Sequence, residues 1–143
     1  MSGPRPALTR PVIIEVEPRE NIAAGRFGWG LGPWAAAGSV RRVNAADGSG
    51  AGRGHDGRSV AAGILSGAAG RSLVVVFRDA HRDASTRSLV TTLLASRPDT
   101  VLVEMGLPRW LPPEGTSYLA TYGASRASAE AAAELLGLAR PHP

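Results

Sequence analysis

The chain has 143 residues, 43% hydrophobic and 20% charged, with a formal net charge of +4 and no cysteine. That length and balance predict one globular domain with a real core, and they exclude a disulfide framework and a thiolate metal site. All 16 basic residues are arginine; only Arg41 and Arg42 are adjacent, and aromatics are 5%, so neither a basic stripe nor a base-stacking platform exists and no nucleic-acid partner is expected. No apolar run approaches a membrane span, and the opening residues lack the apolar centre of a signal peptide. A cytoplasmic protein without membrane contact is the expectation.

Residues 1–10, containing Pro4, Arg5, Pro6 and Arg10, read as an extended linker, residues 11–139 as a single domain and 140–143 as a frayed tail. Val12 to Val16 predicts a first strand that ends at Glu17-Pro18, where proline removes a ladder donor. Arg19, Glu20 and Asn21 form a polar turn. The segment 25–34, rich in glycine and carrying Phe27, Trp29 and Trp34, reads as a loop passing close to other backbone. Ala35 to Ala37 suggests a short helical turn, and Val40 to Val43 a short strand near an edge. Asn44 to Arg58 is Gly-rich and without periodicity, which predicts a mobile surface loop. From Ser59 to Ala69 a weak helix carries Val60, Ile64 and Leu65.

The most strongly patterned stretch is 73–105. Leu73 to Phe77 is a continuous apolar run rich in β-branched residues, as in a strand buried on both faces. From Ser85 the period changes: Leu89, Val90, Leu93 and Leu94 share one helical face, and Arg97-Pro98 closes the helix. Val101 to Val103 is a second buried strand, completing a βαβ unit. The proline-rich run 106–115 is a loop. Tyr118 to Tyr122 is a last strand, and Arg126 to Leu138 is an Ala-rich helix with Ala132, Leu135, Leu136 and Leu138 on its apolar side. About five strands alternating with three or four helices predict a flavodoxin-like three-layer α/β sandwich with a mostly parallel sheet.

In such a fold the ligand side is the rim at the carboxyl ends of the strands. The residues that follow the strands are then the candidates for a ligand-facing rim: Asn21, Arg78, Asp79, His81, Arg82, Glu104, Ser125 and Arg126, with Glu17, Arg19, Thr121 and Tyr122 beside them. Asp79 and His81 could be an acid–base or metal pair, but a metal site needs three or four fixed ligands and none is evident; Asp79 reads rather as orienting His81 or capping the next turn. Gly123-Ala124-Ser125-Arg126-Ala127 sits between strand and helix like a nucleophile elbow, yet no aspartate follows it and the only later histidine is His142. A helix-start role for Ser125 is the alternative, and with Arg126 that turn could hold an anion or a sugar hydroxyl. Glu104 could be one of the two carboxylates a glycosidase needs, or a structural acid accepting from loop N–H groups or Arg109. The glycines match neither a dinucleotide fingerprint nor a P-loop, so no cofactor is expected.

Three segments, 15–32, 74–110 and 119–138, together resemble the C-terminal domain of glycoside hydrolase family 3 proteins, in particular the bacterial β-N-acetylhexosaminidase branch. The RDAHR run at 78–82, VEMGLP at 103–108 and GASR at 123–126 carry the likeness, which extends over most of the chain, 11–138. The resemblance implies an α/β sandwich that packs on an N-terminal (β/α)8 barrel, and that barrel carries the catalytic aspartate. A chain of this length has no room for the barrel, so no catalytic residue is carried over. The expected partners are such a barrel, in cis or in trans, or a second copy, with carbohydrate as a possible ligand. The Gly-rich stretch 44–57 departs from the family pattern. From the residues alone, a free-standing module binding a small polar or anionic ligand at the rim is the alternative.

Overall fold

The computed structural model describes residues 2–3, 6–17, 30–36, 39–45 and 57–138, with only the backbone of 57–59. Five strands, β1 (Val12–Glu17), β2 (Val40–Asn44), β3 (Leu73–Phe77), β4 (Val101–Glu104) and β5 (Tyr118–Ala120), form one sheet in the order β2-β1-β3-β4-β5. Every neighbouring pair is parallel. Three helices, α1 (Gly57–Gly67), α2 (Ala84–Ser96) and α3 (Arg126–Leu136), complete the layers. This is the doubly wound order of flavodoxin-like folds. Among the described residues no helix is long and apolar enough to cross a membrane.

Alternation along the strands makes two cores. Val12, Ile14, Val16, Leu73, Val75, Phe77 and Leu102 face α1 and α2 through Ala61, Ile64, Leu89, Val90 and Leu93. Ile13, Val74, Val76, Val101, Val103 and Leu119 face the other way, onto Leu31, Trp34 and the Ala129, Ala132, Ala133 and Leu136 side of α3. All five residues of β3 are buried, which is why the run reads as continuously apolar. The step from β1 to β2 runs opposite to the steps toward β5, so a constant crossover hand puts residues 31–34 on the face opposite α1 and α2. No helix joins β4 to β5; half-buried Trp110 packs on the α1/α2-side core there instead.

Several elements differ from the periodicity reading. Leu135 is 43% exposed, because α3 turns Ala129, Ala132, Ala133 and Leu136 inward. The helix stops at Leu136, where Gly137 takes φ 70 as a left-handed cap. A 3-10 turn stands at Gly32–Trp34; of the turn expected at 35–37, Ala37 lies outside the described residues. Asn44 still belongs to β2, and Gly57 and Arg58 to α1, so the Gly-rich stretch is shorter than it reads; its remainder, 46–56, lies outside the described residues. β5 ends at Ala120 because Tyr122 turns left-handed at φ 60. Trp34 is buried, while Trp29 lies outside the described residues.

The N-terminal stretch is tied to the sheet where it is described. Ser2 and Tyr118 exchange backbone hydrogen bonds of 2.8 and 2.9 Å, and Thr9 N–H donates to Ser72 Oγ at 2.8 Å. Arg71 donates to the Arg10 carbonyl at 2.7 Å and to Ser39 Oγ at 2.9 Å, below the N-terminal ends of the strands.

Arg97 is the C-cap of α2, but its guanidinium reaches across to the end of α1. It donates to the Ala68 carbonyl at 3.1 Å and the Arg71 carbonyl at 2.7 Å, and it grips Asp99 with two bonds of 3.1 Å. Arg97→Ala leaves both carbonyls without that donor, and a loss of about 2 kcal/mol in denaturant-unfolding stability is expected. Arg97→Lys should recover under half of it, because one ammonium cannot reproduce the planar fork.

Candidate functional site

The rim at the carboxyl ends of β3 and β4 is built by two carboxylates. Phe77 ends β3, and the chain then turns sharply at Asp79, a non-glycine residue at φ 52. A 3-10 turn, Ala80–Arg82, follows, and Asp83 starts α2 by accepting from Ser85 N–H at 3.0 Å, Thr86 N–H at 3.4 Å and the Thr86 hydroxyl at 3.0 Å. On the neighbouring strand Glu104 is fully buried. Its Oε2 accepts from Asp79 N–H at 2.9 Å and Gly106 N–H at 3.2 Å, and its Oε1 from Ala80 N–H at 3.3 Å. The return contact comes from Asp79, whose Oδ1 accepts from Leu107 N–H at 3.0 Å. The acid of β4 thus holds the loop after β3, and the acid after β3 holds the loop after β4.

This reciprocal clasp explains the glycine after Met105. A Cβ on Gly106 would lie 2.8 Å from Asp79 Cγ and 2.9 Å from Asp79 N, so the loops close only over a bare backbone. Beyond the clasp, Trp110 returns to the core and meets Phe77 edge to face, with centroids 6.3 Å apart. Arg87 donates to the Ala80 carbonyl at 2.8 Å and fixes the 3-10 turn from below. Burial raises the Glu104 pKa above the usual carboxylate value, while the N–H groups of Ala80, Gly106 and Asp79 pull the other way. The buried Tyr118 hydroxyl has no hydrogen-bond partner among the described residues, and burial, with the Glu104 charge second, pushes its pKa up to about 12.

Of the expected rim residues, Arg78, Asp79, His81, Arg82 and Glu104 do converge at the β3 and β4 ends. Arg78 Nε lies 3.7 Å from Asp79 Oδ2. Asp79 neither caps the following turn nor bonds to His81, whose buried Nδ1 has no partner among the described residues; the cap of α2 is Asp83, which pattern reading missed. Ser125 is the N-cap of α3: its Oγ accepts from Ser128 N–H at 3.1 Å and pairs with the Ser128 hydroxyl at 3.0 Å. Exposed Arg126 follows it, and nearer β4 Thr121 N–H donates to the Glu104 carbonyl at 2.9 Å. Asn21, Arg19, His55 and His142 lie outside the described residues. Gly106 was the missed signal: a glycine two residues beyond a strand-end acid.

Chemically, the described rim at the β3 and β4 ends is held together by backbone N–H groups donating to carboxylates. There Asp79, Asp83 and Glu104 all accept from backbone N–H groups, whereas Glu17, at the end of β1, is exposed with its Oε1 3.9 Å from Arg42. No cluster of three or more His, Asp or Glu suited to a metal ion occurs among the described residues, and His81 is the one histidine described. No family model, curated protein or solved structure matches the chain.

Proposed function

We propose that this chain is the non-barrel C-terminal domain of a family 3 glycoside hydrolase of the β-N-acetylhexosaminidase kind. Its role is to support a sugar-cleaving barrel or close over its sugar site, and alone it hydrolyses nothing. The observation that carries this reading is the state of Glu104. The strand-end carboxylate best placed for acid–base work on a glycoside is fully buried and accepts three backbone N–H groups. A glycosidase acid must reach the glycosidic oxygen, with a second carboxylate free across the bond. Here the neighbouring Asp79 is itself engaged with Leu107 N–H. The segments that resemble the family also supply the centre of the fold: the latter part of β1, the β3–α2–β4 unit, and β5 with α3.

The purified chain is therefore expected to show no turnover of a chromogenic N-acetylglucosaminide. It is expected to raise the melting temperature of a family 3 hexosaminidase barrel stripped of its own second domain. A fluorophosphonate should leave Ser125 unlabelled, since its hydroxyl caps a helix and no histidine bonds to it among the described residues. Turnover by the chain alone, abolished by a point substitution within it, would overturn the reading.

A further inference from the structure

The β5 edge of the sheet is covered by the chain's own N-terminal residues. Along β5 the backbone groups alternate. Those of Ser117 and Thr121 face β4, where Leu102 N–H donates to the Ser117 carbonyl and Thr121 N–H to the Glu104 carbonyl, both at 2.9 Å. The groups of Tyr118 and Ala120 therefore face outward. Ser2 takes the outward pair of Tyr118 in an antiparallel bridge, donating its N–H at 2.8 Å and accepting at 2.9 Å. The outward pair of Ala120 has no partner among the described residues. The seat of the tip is specific. Gly3 stands at φ 77 against the Thr116 carbonyl, and a Cβ there would lie 2.7 Å from Thr116 C and 3.0 Å from Ser117 N. Yet Ser2 and Gly3 are themselves exposed, and the root of the arm is held elsewhere. Leu8 packs on the α3-side core, Ser72 N–H donates to the Thr9 carbonyl at 3.0 Å, and Arg71 holds the Arg10 carbonyl. The tip can leave β5 while the root stays.

What the tip covers is self-complementary. With a second β5 laid antiparallel on the first, Leu119 opposite Leu119, the Tyr118 groups of each copy meet the Ala120 groups of the other. Both Leu119 side chains then face the α3 side, beside a shallow groove that Leu119, Ala131 and Leu135 line. The arm and a second copy thus compete for the same Tyr118 groups. Each chain makes as many backbone bonds across the edge in one arrangement as in the other. The tethered arm prevails through its effective concentration, about millimolar for a short link.

We infer that the Ser2-Gly3 tip is a strap that keeps β5 from pairing with β5 of a second copy, and that releasing it turns the chain into a dimer. An open edge invites such pairing, and covering it with a loop prevents it. The inference is independent of the companion-domain reading. The test is sedimentation equilibrium of the full chain beside Gly3→Val and Ser2→Pro. Valine resists φ 77 and drives its Cβ into Thr116, and proline removes the N–H that the Tyr118 carbonyl accepts. Each variant should dimerise on the order of 10-fold or more tighter than wild type, because the competing tether is gone. Adding Ala120→Pro should restore the monomer, since it removes an outward donor that β4 does not use. In the dimer the Ala120 amide should become protected from exchange, a readout that stands even if the proline variant fails to fold. Wild-type dimerisation as tight as that of the variants, or variants that stay monomeric, overturns the proposal. So does association that leaves the Ala120 amide unprotected, or that Leu111→Ser abolishes, since the contact then lies on the exposed 107–113 stretch.

Discussion

Glu104→Ala is expected to be among the most damaging single substitutions in this chain, at about 3–6 kcal/mol of unfolding stability. Three backbone N–H groups, those of Asp79, Ala80 and Gly106, lose their acceptor together, in a place where the residue they surround is fully buried. Each orphaned buried donor costs on the order of 1–3 kcal/mol. Against a typical domain stability of about 5–15 kcal/mol, much of the margin goes. Urea unfolding measures the loss, and amide exchange localises it: those three amides should lose protection well beyond the global change. A destabilisation under 1 kcal/mol with protection intact at all three would show that the carboxylate is not what holds the rim.

Glu104→Gln separates charge from shape. The amide keeps one acceptor oxygen, which can serve Asp79 and Gly106, but turns an NH2 toward the Ala80 N–H. A loss of about 1–3 kcal/mol is expected from that one orphaned donor. The pH dependence has a definite sign. Burial raises the folded-state pKa of Glu104 above its ordinary value of 4.5. The folded state then holds the proton more tightly than the unfolded chain does. The associated stability is complete below the ordinary value and disappears as pH climbs through the raised one. The glutamine variant lacks this titration, so its deficit relative to wild type should be larger at pH 4 than at pH 7. A gap that widens with pH would mean that the three N–H groups outweigh burial.

Gly106→Ala is the second large effect, about 3 kcal/mol or more, from a single added methyl group. The methyl must enter the space between Asp79 Cγ, at 2.8 Å, and Asp79 N, at 2.9 Å. Neither can retreat cheaply: Asp79 is at φ 52, its N–H is held by Glu104, and its carboxylate holds Leu107. Overpacking at such a point moves backbone rather than a free side-chain end. Gly67→Ala is the matching control. It ends α1 with nothing within 4 Å of the added carbon, so a neutral or slightly stabilising result is expected. Equal melting temperatures for the two variants would remove the clasp argument for Gly106.

Sequence periodicity carried most of the fold. β3 announces itself because burial on both faces permits no polar residue, and α2 because Leu89, Val90 and Leu93 must share a face. Ser125 was legible as a helix start because capping depends only on residues three apart in the chain. The candidate rim residues were legible as a set, since position after a parallel strand puts a residue at one edge of the sheet. Their bonds were not. Asp79 was read as a local orienter or cap, yet its partner, Leu107, is 28 residues away.

The sequence by itself therefore determined the elements, their order of alternation and the edge at which polar groups would gather, because hydrophobic period, caps and strand ends are properties of neighbours along the chain. Only the tertiary structure decided what those groups do. Pairing β3 with β4 in parallel register sets Phe77 beside Glu104. From there one carboxylate reaches the N–H groups of two loops at once, and a glycine becomes obligatory because of an aspartate on another strand's loop. The same pairing turned an apparent acid–base candidate into a buried structural acid. Beyond it Trp110 packs against Phe77, while Leu107, Arg109 and Leu111 are exposed.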